Sequence, residues 1–240
     1  MPLQSGFMLR SKGVIKIKNK KMLIVGSDST IGRSLLAFYE KFNMPIWCTT
    51  RHRDKVNGRC LFLDLSDDMA DWPLPPTPIK TAIFCAAVTS QERCQIDPEF
   101  SYNVNVRGTV ALAKRLVENG VFVIYLSSNA VFNGEIPFTK PSDSVTPKTE
   151  YGRQKVEAEN QLLKSGNKVA IVRLSKVITP EMPLIKSWIR DLMAEKVIHP
   201  FNDMKISPVP VGFAVSVFHE IALRQLPGIF HISAKEDVAY

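Results

Sequence analysis

Short apolar runs alternate with amphipathic segments along the chain as far as Arg173. The runs have the length of buried strands, and the longer segments between them repeat apolar residues at helical spacing. The strand-like runs are Lys21–Val25, Pro45–Thr50, Cys60–Leu63, Thr81–Cys85, Val121–Leu126 and Lys168–Arg173, and the helical segments are Ile31–Phe42, Asp97–Asn119 and Tyr151–Leu163. Strands that alternate with helices form parallel sheets with helices on both faces, so the pattern predicts an α/β, doubly wound fold.

After Arg173 the pattern predicts two more helices and a last strand, over Leu184–Ala194, Val211–Arg224 and Gly228–Ile232. This part is too short for a core of its own. We therefore expect a basic N-terminal extension at 1–21, a main domain at 22–175 and a small C-terminal lobe at 176–240. The lobe packs on the main sheet and returns part of its chain to it.

The composition is that of an ordinary globular chain: 240 residues, 45% hydrophobic and 22% charged. Disordered and collagen-like classes are excluded. No apolar stretch reaches the roughly 18–20 residues of a membrane-spanning helix, so we expect no integral membrane protein.

The net charge of +8 comes mostly from six basic residues that precede the first acidic one. The rest of the chain is nearly balanced, which predicts no nucleic-acid-binding surface. Lys16 and Lys18 interrupt the apolar residues of the extension, so it does not have the pattern of a signal peptide.

The four cysteines, Cys48, Cys60, Cys85 and Cys94, form no C-x-x-C pair and have no histidine partners at metal-binding spacing. We expect no metal site. Free thiols in apolar runs are typical of a reducing compartment, which predicts a cytoplasmic protein. The four histidines are scattered, and none is assigned a ligand or catalytic role.

The first predicted strand leads into a glycine-bearing turn, Gly26–Gly32, and then a helix. Such a turn directs backbone N–H groups and the helix dipole at a pyrophosphate. Ser29 stands where the usual three-glycine fingerprint has its middle glycine, and its hydroxyl could donate a hydrogen bond. The alternative is a helix N-cap without a ligand; the position after the first strand favours the nucleotide interpretation.

The second strand ends at Thr50-Arg51-His52-Arg53, without the acidic residue that usually binds the ribose of NAD. Arg51 and Arg53 suit a 2′-phosphate, which predicts a preference for NADP(H), with NAD(H) possible; the alternative is a solvated basic turn. Asp64, after the third strand, either accepts a hydrogen bond from adenine or caps a helix. Ala86 and Ala87, after the fourth strand, are small enough for a ribose to approach.

The fifth strand ends in Ser127-Ser128-Asn129-Ala130, and Tyr151-Gly152-Arg153-Gln154-Lys155 follows downstream. Polar residues at the carboxyl end of a parallel strand project into the ligand crevice. Tyr151 and Lys155 share one helix face, and a nearby ammonium favours the phenolate. Such a tyrosine transfers a proton to or from a substrate oxygen that Ser128 holds, while hydride moves at the adjacent carbon.

The chain resembles the extended short-chain dehydrogenase/reductase superfamily, and within it the dTDP-4-dehydrorhamnose reductase-like branch. The resemblance spans roughly residues 22–238 and rests on Gly26–Gly32, Asn105–Thr109, Leu126–Gly134, Tyr151–Glu159, Arg173–Ser175 and Ile206–Val209. It implies a Rossmann-like domain with Ser128, Tyr151 and Lys155 as the catalytic residues, and a C-terminal lobe that binds a nucleotide-linked sugar. It also implies a homodimer formed through the helices Asp97–Asn119 and Tyr151–Leu163.

The cofactor contacts expected from the motifs and the resemblance are Gly26, Ser29, Thr30, Ile31, Gly32, Arg51, Arg53, Asp64, Leu65, Ala86, Ala87, Asn105, Tyr151 and Lys155. The expected substrate contacts are Asn129, Phe132 and Arg190.

The chain also departs from the branch. Asn129 and Ala130 stand where dehydratase relatives have an Asp-Glu pair, and neither can transfer a proton, which argues against dehydration. Gly212 and Phe213 replace a later acidic pair, and the C-terminal lobe is short. The sequence favours an NAD(P)-dependent reductase acting on a nucleotide-sugar carbonyl. The alternatives are a nucleotide-sugar 4-epimerase and a catalytically lapsed NADP-binding regulatory subunit, as the regulatory subunit of methionine adenosyltransferase is.

Overall fold

A computed structural model describes residues 21–68, 72–199 and 205–239; nearly all of the basic extension lies outside these ranges. Within them, seven parallel strands form one sheet in the order β3-β2-β1-β4-β5-β6-β10. The strands are β1 Met22–Val25, β2 Ile46–Thr50, β3 Cys60–Phe62, β4 Thr81–Phe84, β5 Phe122–Ser128, β6 Val169–Leu174 and β10 Gly228–Ile232. The order reverses between β1 and β4, which opens a crevice at their carboxyl ends. The predicted doubly wound fold is confirmed.

Helices cover both faces of this sheet, because side chains of a strand alternate between its faces. The helices are α1 Thr30–Lys41, α2 Gln91–Ile96, α3 Pro98–Tyr102, α4 Thr109–Glu118, α5 Glu150–Leu163, α6 Pro183–Met193 and α7 Val211–Arg224. Leu23 and Val25 belong to the core under α4 and α5, whereas Met22 and Ile24 belong to the core under α1 and α7.

The helical segment predicted over Asp97–Asn119 is present, and its middle part is π-helical. Asp97 is the N-cap of α3, its Oδ1 accepting from the Phe100 amide at 3.1 Å. A π-helical segment, Asn103–Gly108, then leads into α4. A π-helical turn adds a residue to the helical repeat, which an apolar periodicity does not reveal, and such turns often lie near functional sites.

The chain after residue 175 contributes to the main body as well as to the rim of the crevice. Strand β10 pairs with β6, and α7 packs against α1 in the core. Two small sheets complete the fold: β7 Val177–Ile178 pairs with β9 Val209–Pro210, and β8 Lys205–Ile206 pairs with β11 Val238–Ala239. Among the described residues, no helix has the length and apolar character needed to cross a membrane.

Candidate active site

The glycine turn after β1 is folded tightly against the loop after β4. Gly26 has a φ of +83°, and a Cβ at this position would lie 2.6 Å from Ala86. The Ser29 Oγ accepts from the Gly32 amide at 3.0 Å, so Ser29 is the N-cap of α1. Since that hydroxyl accepts, its own proton can still be donated to a ligand. The cap and the nucleotide interpretations of this turn are compatible.

A cleft of about 430 Å³ lies over the turn at the carboxyl ends of β1, β2 and β4. Eight of the predicted cofactor contacts line it: Gly26, Ser29, Thr30, Arg51, Asp64, Leu65, Ala86 and Ala87. Asp28, Arg33, Thr50 and His52 line it as well, although they were not among the predicted contacts. They come from the turn, the first helix and the end of β2.

The two predicted arginines are placed differently. Arg51 lines the cleft, whereas the Arg53 guanidinium lies 4.0 Å from the centroid of the Phe62 ring, beside β3. Arg53 is absent from the cleft lining, so the structure does not bring it to the site. Asp64 lines the cleft and also caps a turn, its Oδ1 accepting from the Ser66 amide at 3.0 Å.

A second cleft, of about 1000 Å³, adjoins the first and shares Thr30 and Thr89 with it. Ser128, Asn129 and Tyr151 line this second cleft together with Ile31, predicted as a cofactor contact. Lys176, Lys205, Ser207 and Asp237 line it too, although none of them was a predicted substrate contact. A ligand lying across both clefts would therefore extend from the glycine turn to the Ser128 and Tyr151 hydroxyls.

The contact between α5 and the loop after β5 brings Tyr151 to Ser128. Gly152 makes this approach possible, since a Cβ there would lie 2.2 Å from the Ala130 carbonyl oxygen. Burial raises the pKa of Tyr151 to about 12, although the neighbouring Ser128 hydroxyl opposes the shift. Tyr151 is therefore a protonated phenol at neutral pH.

Lys155 lies beneath the clefts and lines neither of them. Its Nζ donates to the Leu126 carbonyl at 2.9 Å and lies 4.6 Å from the Tyr125 ring centroid and 5.7 Å from that of Tyr151. Burial lowers the pKa of Lys155 to about 8, against the opposing charge of Glu159. The ammonium lies near the Tyr151 ring, but burial raises the pKa of Tyr151, so the structure does not show the lowered phenol pKa that was expected from Lys155.

Asn105 is fully buried and supports the floor of the first cleft. Its Oδ1 accepts from the Val88 amide at 2.8 Å, and its Nδ2 donates to the Val88 carbonyl and to the Gln154 Oε1. Because Val88 lines the cleft, Asn105 acts by holding that loop. Gln154 connects it to the helix that carries Tyr151.

Two predicted substrate contacts are placed away from the second cleft. The ring of Phe132 packs under the Arg173 guanidinium, 5.2 Å from the ring centroid to Cζ. Arg190 lies on α6, in a separate depression with Ile189 and Met193. The structure therefore brings Asn129 to the cleft and leaves Phe132 and Arg190 outside it.

A buried ion pair behind the site was also missed. Arg173 and Glu159 are 5% and 2% exposed and form an ion pair of 2.7 Å, and the Ser127 hydroxyl donates to the same carboxylate at 2.5 Å. Both serines line the second cleft, but the Ser127 hydroxyl is committed to the ion pair, whereas Ser128 has no contact with that pair. The spacing of Tyr151, Lys155 and Glu159 on one helix was the available signal.

The first cleft has features that a nicotinamide dinucleotide requires. The positive φ at Gly26 and its close contact with Ala86 leave room for a pyrophosphate at the N-terminus of α1, where N–H groups lack intrahelical partners. The carboxylates of Asp28 and Asp64 and the guanidinium groups of Arg33 and Arg51 also line it. Fold and site together define a Rossmann protein of the short-chain dehydrogenase/reductase superfamily.

Comparison with known proteins narrows this class. The RmlD substrate binding domain family matches residues 20–240, and the chain belongs to that family. The superfamily recognised from the sequence motifs is thereby confirmed.

Individual relatives are distant. The chain is 25% identical over 234 residues to methionine adenosyltransferase 2 subunit beta from Danio rerio, covering 91% of this chain and 70% of that protein. It is 25% identical over 236 residues to dTDP-4-dehydrorhamnose reductase from Aggregatibacter actinomycetemcomitans, covering 92% and 75%. The fold matches that of dTDP-4-dehydrorhamnose reductase from Bacillus anthracis in complex with NADP, with a TM-score of 0.77 and 20% identity over 92% and 76% of the two chains.

Proposed function

We propose that the protein is an NAD(P)H-dependent reductase that acts on the carbonyl of a nucleotide-linked sugar. The observation that carries this proposal is the juxtaposition of the Ser128 and Tyr151 hydroxyls in a cleft continuous with the one above the glycine turn. Relatives named as dTDP-4-dehydrorhamnose reductases support the substrate class.

In this proposal the first cleft binds the dinucleotide, and the second cleft binds the substrate carbonyl. The turn and the N-terminus of α1 would hold the pyrophosphate of the dinucleotide, and Arg51 its adenosine end. The bound dinucleotide supplies hydride. Ser128 holds the substrate carbonyl by a hydrogen bond, and Tyr151 donates its phenolic proton to the oxygen as the alcohol forms.

The protonation state of Tyr151 favours reduction over epimerisation. A 4-epimerase begins by oxidising an alcohol, for which the tyrosine must first accept a proton. Because burial raises the pKa of Tyr151 to about 12, the phenol is protonated at neutral pH and is prepared to donate. This supports the reductase rather than the epimerase alternative.

The test is oxidation of NADPH and of NADH, followed by absorbance, with dTDP-4-dehydrorhamnose and other nucleotide 4-keto-sugars. We expect turnover in the wild type and a loss of about 10²–10⁴-fold in Tyr151→Phe, with nucleotide binding unchanged. Nucleotide binding without turnover of any keto-sugar would contradict the reductase.

The second candidate is a nucleotide-binding regulatory subunit. Asn129 and Ala130 follow Ser128, Lys155 lies below the clefts, and relatives include methionine adenosyltransferase 2 subunit beta. These observations favour a site that binds a dinucleotide without turning it over. Co-purification of a methionine adenosyltransferase with an inactive but nucleotide-binding chain would support this candidate.

We further propose a cytoplasmic homodimer whose C-terminal residues 176–240 supply the substrate side. The four buried free cysteines support the compartment. The exposed Arg107 and Lys114, before and within α4, and the half-buried Glu157 on α5 offer opposite charges that a two-fold axis would bring together. Sedimentation at increasing salt tests the dimer: a monomer at micromolar concentration in low salt would contradict it.

A further inference from the structure

Asp28 places a carboxylate at the adenosine end of the first cleft, although β2 itself ends without one. Its Oδ2 accepts from the Thr50 hydroxyl at 2.5 Å, and Thr50 is the last residue of β2. The side chain is 26% exposed and lines the cleft with Arg51 and His52. In Rossmann folds the acidic residue that binds the ribose lies at this end of β2.

The carboxylate is held in place from several sides. The turn is fastened to β2 because the Gly26 amide donates to the Thr49 Oγ1 and the Ser27 hydroxyl donates to the Thr49 carbonyl, both at 2.9 Å. Lys55 donates to the Asp28 Oδ1 at 2.8 Å, and Arg33 donates to the Asp28 carbonyl. Asp28 is thus oriented by residues from the turn, α1 and the segment after β2.

The same contacts keep Asp28 ionised. Burial raises the pKa of this carboxyl group, but the hydrogen bonds from Lys55 and Thr50 outweigh it and lower the pKa overall. The cleft therefore contains a negative charge next to Arg51, and Lys55 is partly neutralised by its ion pair with Asp28.

We propose that Asp28 is a specificity-determining residue that selects against a 2′-phosphate and accepts a ribose 2′-hydroxyl, opposing Arg51. This inference rests on the proposed dinucleotide site. A 2′-phosphate carries nearly two negative charges at neutral pH and is repelled by a carboxylate within a few ångströms, whereas a hydroxyl can donate to it. The opposed charges give this protein similar affinities for NADPH and NADH, with only a modest advantage for NADPH.

The test uses calorimetric titration of the intact protein with NADPH, NADH, ADP and 2′,5′-ADP, the last pair isolating the adenosine end. We expect wild-type affinities for NADPH and NADH within about tenfold of each other. Asp28→Asn keeps the shape of the side chain and an oxygen that accepts from Thr50. Its affinity for NADPH and for 2′,5′-ADP should rise by about tenfold, while its affinity for ADP should change by less than about threefold. Lys55→Gln, which leaves the carboxylate without its ion pair, should weaken both 2′-phosphorylated ligands.

Asp54→Asn is the matched control, because Asp54 is exposed and does not line the cleft. An equal gain in NADPH affinity in that variant would reduce the effect to net charge and overturn the inference. So would an Asp28→Asn protein whose NADPH affinity is unchanged while the wild type binds both dinucleotides. Failure of the wild type to bind any of the four ligands would instead remove the proposed dinucleotide site and the inference with it.

Discussion

Lys155 and Tyr151 show how burial sets the chemistry of individual side chains in this molecule. Both are nearly inaccessible, at 3% and 8% exposure, and burial disfavours the charged form of each. The Lys155 ammonium is stabilised by the Leu126 carbonyl and by the face of the Tyr125 ring. The pair is therefore prepared for proton donation near neutral pH, with the lysine as the first group to change its charge.

The pH dependence of reduction follows from these two groups. Lys155 is protonated below its pKa of about 8, and Tyr151 keeps its proton up to about 12. We expect kcat/KM for reduction to be constant from about pH 6 to 7 and to fall about tenfold per unit above pH 8, as the ammonium is lost. Initial rates of reduction measured from about pH 6 to about pH 10 test this expectation.

Two variants distinguish the loss of the Lys155 ammonium from a general loss of activity at alkaline pH. Lys155→Met should have a much lower kcat/KM and should lose the alkaline limb, which is the fall of kcat/KM above pH 8. Lys164→Met removes an exposed lysine just beyond the same helix and should keep the limb. An alkaline limb that persists in Lys155→Met would exclude Lys155 as its origin.

At the level of elements, the position of α5 decides whether the site exists. This helix carries Tyr151, Gln154, Lys155 and Glu159, which contact the end of β5, the floor of the first cleft and the sheet. Its first turn, capped by Thr149, lies against the loop after β5. A small displacement of this one helix would move all four groups together.

Gly152→Ala tests that dependence. The added Cβ would meet the Ala130 carbonyl oxygen at 2.2 Å, so the start of α5 or the loop must shift. We expect a loss of about 100-fold in turnover and of about 1–3 kcal/mol in the free energy of unfolding. Nucleotide affinity should change little, because the glycine turn is on another element.

Gly212→Ala is the matched control in α7. A Cβ there would meet no atom within 4 Å, so we expect unchanged turnover and a stability equal to or slightly above that of the wild type. Kinetics together with urea unfolding make the comparison. Full activity in Gly152→Ala would show that the contact does not set the site.

At the scale of the whole molecule, the Glu159–Arg173 ion pair connects distant parts of the chain behind the site. Arg173 on β6 also donates to the Pro141 carbonyl at 3.3 Å. The His231 Nδ1–H, on β10, donates to the Thr139 carbonyl, which leaves its Nε2 to accept from Arg173 at 3.3 Å. Helix, sheet and the long loop between β5 and α5 thus share one charged group.

Glu159→Ala would leave the Arg173 guanidinium buried without its carboxylate. We expect a loss of about 3–5 kcal/mol in the free energy of unfolding. Removing both charges, in the double variant Glu159→Ala with Arg173→Met, should restore part of the lost free energy of unfolding. A double-mutant cycle by urea unfolding measures this. Glu220→Ala, which breaks the exposed Arg224–Glu220 pair, is the control and should cost under about 1 kcal/mol. Equal losses of unfolding free energy in Glu159→Ala and Glu220→Ala would contradict the special role of the buried pair.

The spacing of residues in the sequence was sufficient to predict those features that depend on neighbouring positions in the chain. The strand pattern predicted the sheet, and Tyr151 and Lys155 were found from their spacing on one helix. Arg190 lies in a depression apart from the two clefts, and a helical face in the sequence does not reveal which cleft it borders. Asp28 was missed because its partner Thr50 is 22 residues away, on another strand.

The sequence by itself determined the order of strands and helices along the chain and the glycine turn, and it indicated Ser128, Tyr151 and Lys155 as candidate site residues, because these depend on local periodicity and spacing. Only the tertiary structure decided which charges share the cleft, how deeply Lys155 is buried and which serine is committed to an ion pair. Electrostatic environment depends on distances between segments remote in the chain, and those distances exist only once the sheet has brought the segments together.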